Sequence, residues 1–426
     1  MSAASTASET VITSRGIGVG AAGVVVGALG VGLATPPLVY IGAAMVCAVT
    51  VAGMWMLLSV NAFLRRFPYA RREVVPRPLT VGVPGRVTVK IQAGTHTHSR
   101  VRKVLTQSLD IREQAASELT GGMGTKATVT RTPDALTLSY TLMPSRRGRW
   151  PLGPALVHTS DPLGMIWSDT AVGDAERVPV WPPVIELSAT AGALMGQADR
   201  VVLGARSPSA DDAALRDYRE GDDLRRVHWP SSARLGTMVV RSDERAGRRP
   251  ATVILDLSRD SEALEWGISA AASIALSVLD SGHPVRLLSG KARPDSGRHY
   301  GEHATDAARA SILNMCVDFV SPVSQAAATT DLIRAARQAG DDAPQGEVIV
   351  GIFESLEKAA LDALAPIGGS GRAWAIVRTS DHGAAAEQAE ATAKALRRAG
   401  WRATTATVHS DLESVWSTLL TAGDIE

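Results

Sequence analysis

Two runs without a single charged side chain stand near the amino terminus, Gly16 to Ala34 and Leu38 to Val60. Each is long enough to cross a hydrocarbon core of about 30 Å at about 1.5 Å of helical rise per residue. Thr35-Pro36-Pro37 between them is a short uncharged turn, so the pair reads as a transmembrane helical hairpin spanning 16–34 and 38–60. Arg15 precedes the first run, and Arg65, Arg66, Arg71 and Arg72 follow the second. By the positive-inside rule both ends face the cytoplasm, as does everything after residue 61, which makes a multi-pass plasma-membrane protein with a short cytoplasmic tail over 1–15. A cleaved signal peptide is the rival reading, but the amino-terminal region lacks a run of positive charge and a second span follows at once. Gly18-Val19-Gly20-Ala21-Ala22-Gly23 spells a dinucleotide fingerprint, yet no strand precedes it. Gly16/Gly20 and Gly23/Gly27 instead read as ridges of small residues along which two membrane helices can approach.

The remaining length of a 426-residue chain accommodates two further domains. Formal net charge is only +1, so no global field recruits nucleic acid. Lysine is scarce and arginine abundant, as expected of coding from a GC-rich bacterial genome. Cys47 falls in an apolar run and Cys316 far from it, so no disulfide framework is implied and a reducing compartment fits.

Residues 68–190 have strand composition. Leu79–Val83 and Arg86–Ile91 flank a Val83-Pro84-Gly85-Arg86 turn, and Ala127–Arg131 and Leu136–Leu142 form a second expected pair around Pro133-Asp134. Ala155–His158 and Arg177–Trp181 add short strands, while Pro144–Trp150 and Asp161–Met165 read as interruptions. Short strands with frequent turns predict a β-sandwich, immunoglobulin-like in outline. The Arg146-Arg147-Gly148-Arg149 run suits either acidic headgroups or an edge strand kept soluble by charge.

From residue 249 to 426 strands alternate with helices. Ala251–Asp256, Pro284–Leu288, Glu347–Phe353, Ala373–Val377 and Ala403–Val408 are strand-like, and Ser261–Leu279, Ala384–Ala399 and Asp411–Leu420 are helix-like. This predicts an α/β doubly wound domain whose mostly parallel sheet is covered on both faces. Ligands of such sheets bind beyond the carboxyl ends of the strands, where Asp256-Leu257-Ser258-Arg259-Asp260 would lie. A carboxylate and a hydroxyl at alternate positions can ligate a hard cation such as Mg2+. The loop resembles the metal site of von Willebrand factor type A domains, Asp-x-Ser-x-Ser: Asp256 and Ser258 match, and Asp260 replaces the last serine. That resemblance implies further threonine and aspartate ligands, for which Glu354 is the nearest acidic candidate. Without a metal, Asp256 would cap the following turn.

His299-Tyr300-Gly301-Glu302-His303 matches an inverted zinc-peptidase string, but Gly301 and the upstream Pro294-Asp295-Ser296-Gly297 argue for a loop rather than the required helix. No nucleophile, base and oxyanion donor assemble by spacing, so no catalytic residue is assigned.

The densest chemistry lies in a connector over 191–248. Tyr218, Arg219, Gly221, Asp222, Asp223, Arg225, Arg226, Trp229, Ser232 and Arg234 crowd carboxylates, guanidinium groups and one indole into a short segment. Arginine forks pair with carboxylates and stack on tryptophan, chemistry that suits a latch between domains or a docking surface. Asp222 and Asp223, flanked by three arginines, are ionised partners rather than acid–base catalysts. This segment resembles the signature of the bacterial family called domain of unknown function 58 (DUF58), approximately Y-x-x-G-D-D-x-R-x-I-x-W-x-x-S-A-R. Val227 stands for the isoleucine and Pro230 for a common lysine. The resemblance extends to Arg146–Arg149, Asp161-Pro162-Leu163-Gly164 and Val253–Asp256. It implies a membrane anchor, a β-rich segment and a von Willebrand A-like domain, encoded beside a MoxR-type AAA+ ATPase. The expected function is therefore a non-enzymatic membrane adaptor that binds such a protein partner. The alternative is a metal-dependent hydrolase or peptidase built on Asp256 or on His299 and His303.

Overall fold

The computed structural model describes residues 8–66, 69–92, 110–122, 127–132, 135–187, 194, 215–217, 229–241, 249–289, 305–341, 347–379 and 383–421. The chain divides into two compact units, Met1–Trp181 and Pro182–Glu426.

The first unit begins with strand β1 (Ser8–Ile12), followed by helix α1 (Ser14–Gly32) and helix α2 (Pro36–Arg66). Residues expected to form a cytoplasmic tail thus include a strand, held because Thr10 and Val11 pair antiparallel with Ser168 and Trp167. Pro36 opens α2, a first-turn position where its missing N–H costs no bond. The two helices meet at glycines, but not at all those anticipated. A Cβ on Gly42 would lie 2.5 Å from the Gly27 backbone N and 2.6 Å from the Gly23 carbonyl, and one on Gly30 would lie 2.7 Å from the Val39 nitrogen. Gly20 touches nothing within 4 Å, and Gly16 packs instead beneath the Met165 carbonyl. The seam is therefore Gly23 and Gly27 against Gly42, with Gly30 against Val39 one turn on, a close approach that residues without side chains permit.

The strands that follow are β2 (Tyr69–Val75), β3 (Leu79–Thr80), β4 (Gly85–Gln92), β5 (Asp110–Ala115), then short helix α3 (Ser117–Thr120), β6 (Thr128–Arg131), β7 (Ala135–Leu142), β8 (Gly148–Ser160), β9 (Ile166–Val172) and β10 (Glu176–Trp181). One sheet runs β1-β9-β8-β10-β3 with β5 also on β8; the other runs β2-β4-β7-β6. The expected β6–β7 pair forms. The expected hairpin at Pro84-Gly85 does not: β3 lies parallel to β10, and β4 pairs with β2 and β7. Inward residues of both sheets share one core, with Val87, Val89, Leu136, Leu138 and Leu142 from one and Leu152, Val157, Val178 and Val180 from the other. At roughly 25 cal/mol per Å2 of buried apolar area this shared layer is the main force holding the sheets together.

Arg72, counted by the charge pattern among the arginines that follow the second span, has its side chain enclosed. Its Nε reaches Glu113 Oε1 at 2.8 Å and its Nη1 the Asp174 carbonyl at 3.1 Å. Glu113 is buried too, and desolvation raises its pKa against the opposing pull of Arg72. Asp161–Met165 does not interrupt the sheet but forms the tight turn from β8 to β9. Asp161 accepts from the N–H groups of Leu163 (2.9 Å) and Ile166 (2.6 Å), and Gly164 supplies the positive φ of 65°. This turn clasps the base of the hairpin: Thr13 donates to the carbonyls of Gly164 and Met165 while its hydroxyl caps α1 at Gly16. On the other helix Ala52 and Met56 pack on Met165 and Ile166. Likewise Pro144–Trp150 leads into β8, which already includes Gly148 to Trp150.

In the second unit a small ribbon pairs β11 (Leu215–Asp217) antiparallel with β12 (Val239–Arg241), and helix α4 (Trp229–Leu235) lies between them in sequence. Then come β13 (Ala251–Leu255), α5 (Ser261–Asp280), β14 (Val285–Ser289), α6 (Thr305–Val317), α7 (Gln325–Asp341), β15 (Val348–Phe353), α8 (Lys358–Gly368), β16 (Ala373–Thr379), α9 (Ala384–Arg398), β17 (Arg402–Thr407) and α10 (Leu412–Thr421). All five main strands are parallel, in the order β14-β13-β15-β16-β17. Fully buried strands explain the unbroken apolar runs at β13 and β15. The order is the doubly wound 2-1-3-4-5 arrangement, whose switch point falls between β13 and β15.

Among the described residues, three helices are long and apolar enough to cross a membrane: Ser14–Gly32, Pro36–Val60 and Ser261–Asp280. They differ in what surrounds them. Only 17% of each of the first two spans is buried within the protein, against 72% of the third. The third is α5, a core helix packed on the parallel sheet, whose Leu264, Ile268, Ile274 and Val278 are enclosed.

Candidate functional site

The switch point is where a sheet of this order holds a ligand, and here it is built from the ends of three strands. Asp256 follows β13; its N–H donates to the Ile352 carbonyl at 2.9 Å, and its Oδ2 accepts from the Glu354 N–H at 3.2 Å. Burial raises its pKa to about 6, opposed by Arg378 and by the Glu354 N–H. Arg378, at the end of β16, reaches across β15 with its whole guanidinium. It donates to the carbonyls of Asp256, Ala263 (2.8 Å) and Phe353 (3.4 Å), and lies 3.9 Å from Glu354 Oε1. Desolvation lowers its pKa, against the attraction of Asp256 and Glu354. Room for it comes from Gly267 on α5, where a Cβ would stand 2.5 Å from Nη1.

The three residues expected to bind metal are each engaged in local hydrogen bonds. Ser258 Oγ accepts from the Asp260 N–H at 3.0 Å. Asp260 is the N-cap of α5, with Oδ1 accepting from the N–H groups of Glu262 and Ala263 at 2.9 Å each. A divalent cation needs several oxygen ligands converging on one point. Asp256 and Glu354 instead face a guanidinium that already supplies the positive charge. Among the described residues no three His, Cys, Asp or Glu side chains converge. The residues present do not fit a divalent cation at this loop.

At the amino-terminal pole of the same sheet lies a second buried arginine. Arg286 Nε donates to Thr252 Oγ1 at 2.6 Å and Nη2 to Glu347 Oε2 at 3.2 Å, while Thr252 hydrogen-bonds Glu347. Each member satisfies another, which is what makes buried charge tolerable.

Of the Asp/Arg/Trp segment, Tyr218, Arg219, Gly221, Asp222, Asp223, Arg225 and Arg226 lie outside the described residues, as do His299 and His303. The described part is α4, bounded by the β11–β12 ribbon. Ser232 is buried and its carbonyl accepts from the Gly236 N–H at 2.9 Å, with Gly236 at φ 69° ending the helix. Arg234 is exposed on its surface. Trp229, the largest side chain of the segment, is 63% exposed. Sequence reasoning missed the ribbon and the part played by Arg378. The one available signal for the latter was a charge directly after the apolar run Ala373–Val377.

The structure therefore shows two apolar amino-terminal helices long enough to cross a membrane, a unit of β-sheets and a parallel α/β unit. Residues 214–370 match the family described as "Protein of unknown function DUF58", which supports the resemblance read from the Asp/Arg/Trp segment. Comparison with curated proteins finds no match. Among solved structures, an esterase from Pyrobaculum calidifontis aligns at 14% identity over 56% of this chain and 94% of its own, with a TM-score of 0.19. At that score it bears on neither fold nor activity.

Proposed function

We propose that the protein is a non-enzymatic membrane adaptor whose α/β unit binds a protein partner. The observation that carries this reading is the state of the switch point. The crevice that would hold a cofactor or substrate is filled by Arg378, bonded to carbonyls from two strand ends and the first turn of α5. An internally satisfied crevice leaves the outer surface as the place where this unit acts. Trp229, exposed within the segment that resembles the family signature, supports docking over a latch, since exposed tryptophan is characteristic of binding hot spots.

In this reading α1 and α2 cross the membrane twice, and both soluble units face the cytoplasm. Pairing of β1 with β9 supports the two-pass arrangement, because it holds the chain before α1 and the chain after α2 in one sheet. The two sheets around one core and the parallel unit are read as immunoglobulin-like and von Willebrand A-like respectively. The partner proposed is a MoxR-type AAA+ ATPase, on the strength of the family resemblance. Tagged protein purified from native membranes should carry such an ATPase in near-stoichiometric amount. Purification with lipid alone, or stoichiometric zinc in a preparation that cleaves peptides, would replace this reading with the hydrolase.

A further inference from the structure

The turn between β8 and β9 meets both helices of the hairpin at one depth. Contacts along the helix seam run in register: Gly30 meets Val39, Gly27 meets Gly42 and Gly23 meets Val46. Continued, this register sets Gly16 level with Gly53. A Cβ on Gly16 would lie 2.5 Å from the Met165 carbonyl oxygen, and one on Gly53 would lie 3.5 Å from Ile166 Cδ1. Between that level and the tip, residues 16–32 of α1 extend about 24 Å and residues 36–53 of α2 about 26 Å, at about 1.5 Å per residue. A hydrocarbon core is about 30 Å thick. Tyr40, exposed near the tip, suits the far interface, which leaves still less of the hairpin within the core. We propose that the bilayer makes up the difference by taking in the β8–β9 turn and the adjoining end of β1, so that this edge of the β-sheet unit lies in the lipid interface. The inference rests on the two-pass reading above.

The outer part of α2 argues against a bilayer that simply thins to end at Gly53. Met54, Trp55, Leu57 and Leu58 lie beyond that level and are exposed, and no charge follows until Arg65. Ala52 and Met56, on the other side of the helix, pack on Met165 and Ile166. Lipid that covers Leu57 and Leu58 therefore reaches past the depth of the turn that the opposite side of α2 touches.

The chemistry of the turn suits this position. Its one carboxylate, Asp161, is buried and accepts from the N–H groups of Leu163 and Ile166, so its charge is turned inward. Leu163 stands outward, 58% exposed, and Ile12, paired with Ile166 at the end of β1, is exposed as well. Arg15 is exposed beside them, and its long stem lets the guanidinium reach headgroup phosphates. Two features limit the depth. Glu9, opposite Asp169, carries charge about 10 Å farther along β1 than Ile12, at about 3.3 Å per residue. β1 is also the edge strand of its sheet, so its outer backbone groups need the water that the interface supplies and the hydrocarbon core does not.

The test places the photo-crosslinker p-benzoylphenylalanine in full-length protein at one of three exposed positions: Leu163, Val25 within α1, or Met143, which precedes the opposite end of the 13-residue strand β8. Each protein is irradiated in vesicles of phosphatidylethanolamine and phosphatidylglycerol, and again in native membranes, and adducts are read by mass spectrometry. Lipid adducts are expected at positions 163 and 25, with loss of the adduct at 143. Adducts at 25 but none at 163 overturn the inference and spare the hairpin. Absence of lipid adducts at 25 overturns the two-pass reading itself. Adducts as frequent at 143 as at 163 overturn the assignment of this edge to the interface. A crosslink from 163 to another protein in native membranes, in place of lipid, also overturns it.

Discussion

Asp256 is a carboxyl group held where ionisation is unfavourable, and this has a direct consequence for stability. Its pKa stands at about 6 in the folded chain against an ordinary value of 3.8. A raised carboxyl pKa means that the folded state binds the proton more tightly than the unfolded state. The resulting stabilisation is complete below pH 3.8 and is lost as pH rises through about 6. The difference in unfolding free energy between wild type and Asp256→Asn should therefore change by about 2–3 kcal/mol between pH 4 and pH 7. Wild type should lose stability relative to the variant as pH rises. Chemical denaturation of both proteins across that range checks it. Added Mg2+ should leave the profile where it is; a shift to lower pH on adding Mg2+ would mean that the carboxylate binds the ion. Arg378 and Gly267 are coupled in the same place. Gly267→Ala puts a methyl group against a guanidinium that three carbonyls hold still. It should destabilise the protein by about 1–3 kcal/mol, read from the same denaturation curves. A neutral result would mean that Arg378 is free to move.

At the scale of elements, the hairpin depends on which glycines face the neighbouring helix. Gly42→Val should lower the thermal stability of the protein in detergent, because its Cβ meets the backbone of Gly27 and Gly23. Gly20→Val, with nothing within 4 Å, should leave it within error. Equal effects would show that the helices do not cross where described. The contrast also shows what sequence could convey. Both apolar helices were legible as uncharged runs, and β13 and β15 as unbroken apolar strands, since burial on both faces leaves no room for polar residues. The strand β2 was not legible, because Arg71-Arg72-Glu73 reads as a solvated juxtamembrane run until Arg72 is found paired with Glu113 on a distant strand. Helix α7 was passed over for a related reason: of its buried residues, Ala328, Ala335, Ala336 and Ala339 are small, and Leu332 is the one larger apolar side chain among them. Glycine spacing announced a close helix contact, but only the rotation of each helix decides which ridge is used.

For the whole molecule, the plan of apolar helices, β-sheets and a parallel α/β unit was readable from changes in periodicity along the chain. The loop beside Asp256 invited a metal site by composition. Its chemistry was decided by Arg378, more than a hundred residues away, which no local pattern could place. The central question is whether the Asp/Arg/Trp segment presents itself to another protein; among its described members Trp229 and Arg234 are exposed. The most direct measurement compares wild type with Trp229→Ala in two assays: retention of an AAA+ ATPase during purification from native membranes, and thermal unfolding of the purified protein. The account predicts that the ATPase is lost while stability changes by less than about 0.5 kcal/mol, as expected of a surface substitution. An ATPase retained by the variant, or a loss accompanied by a marked fall in stability, would contradict it.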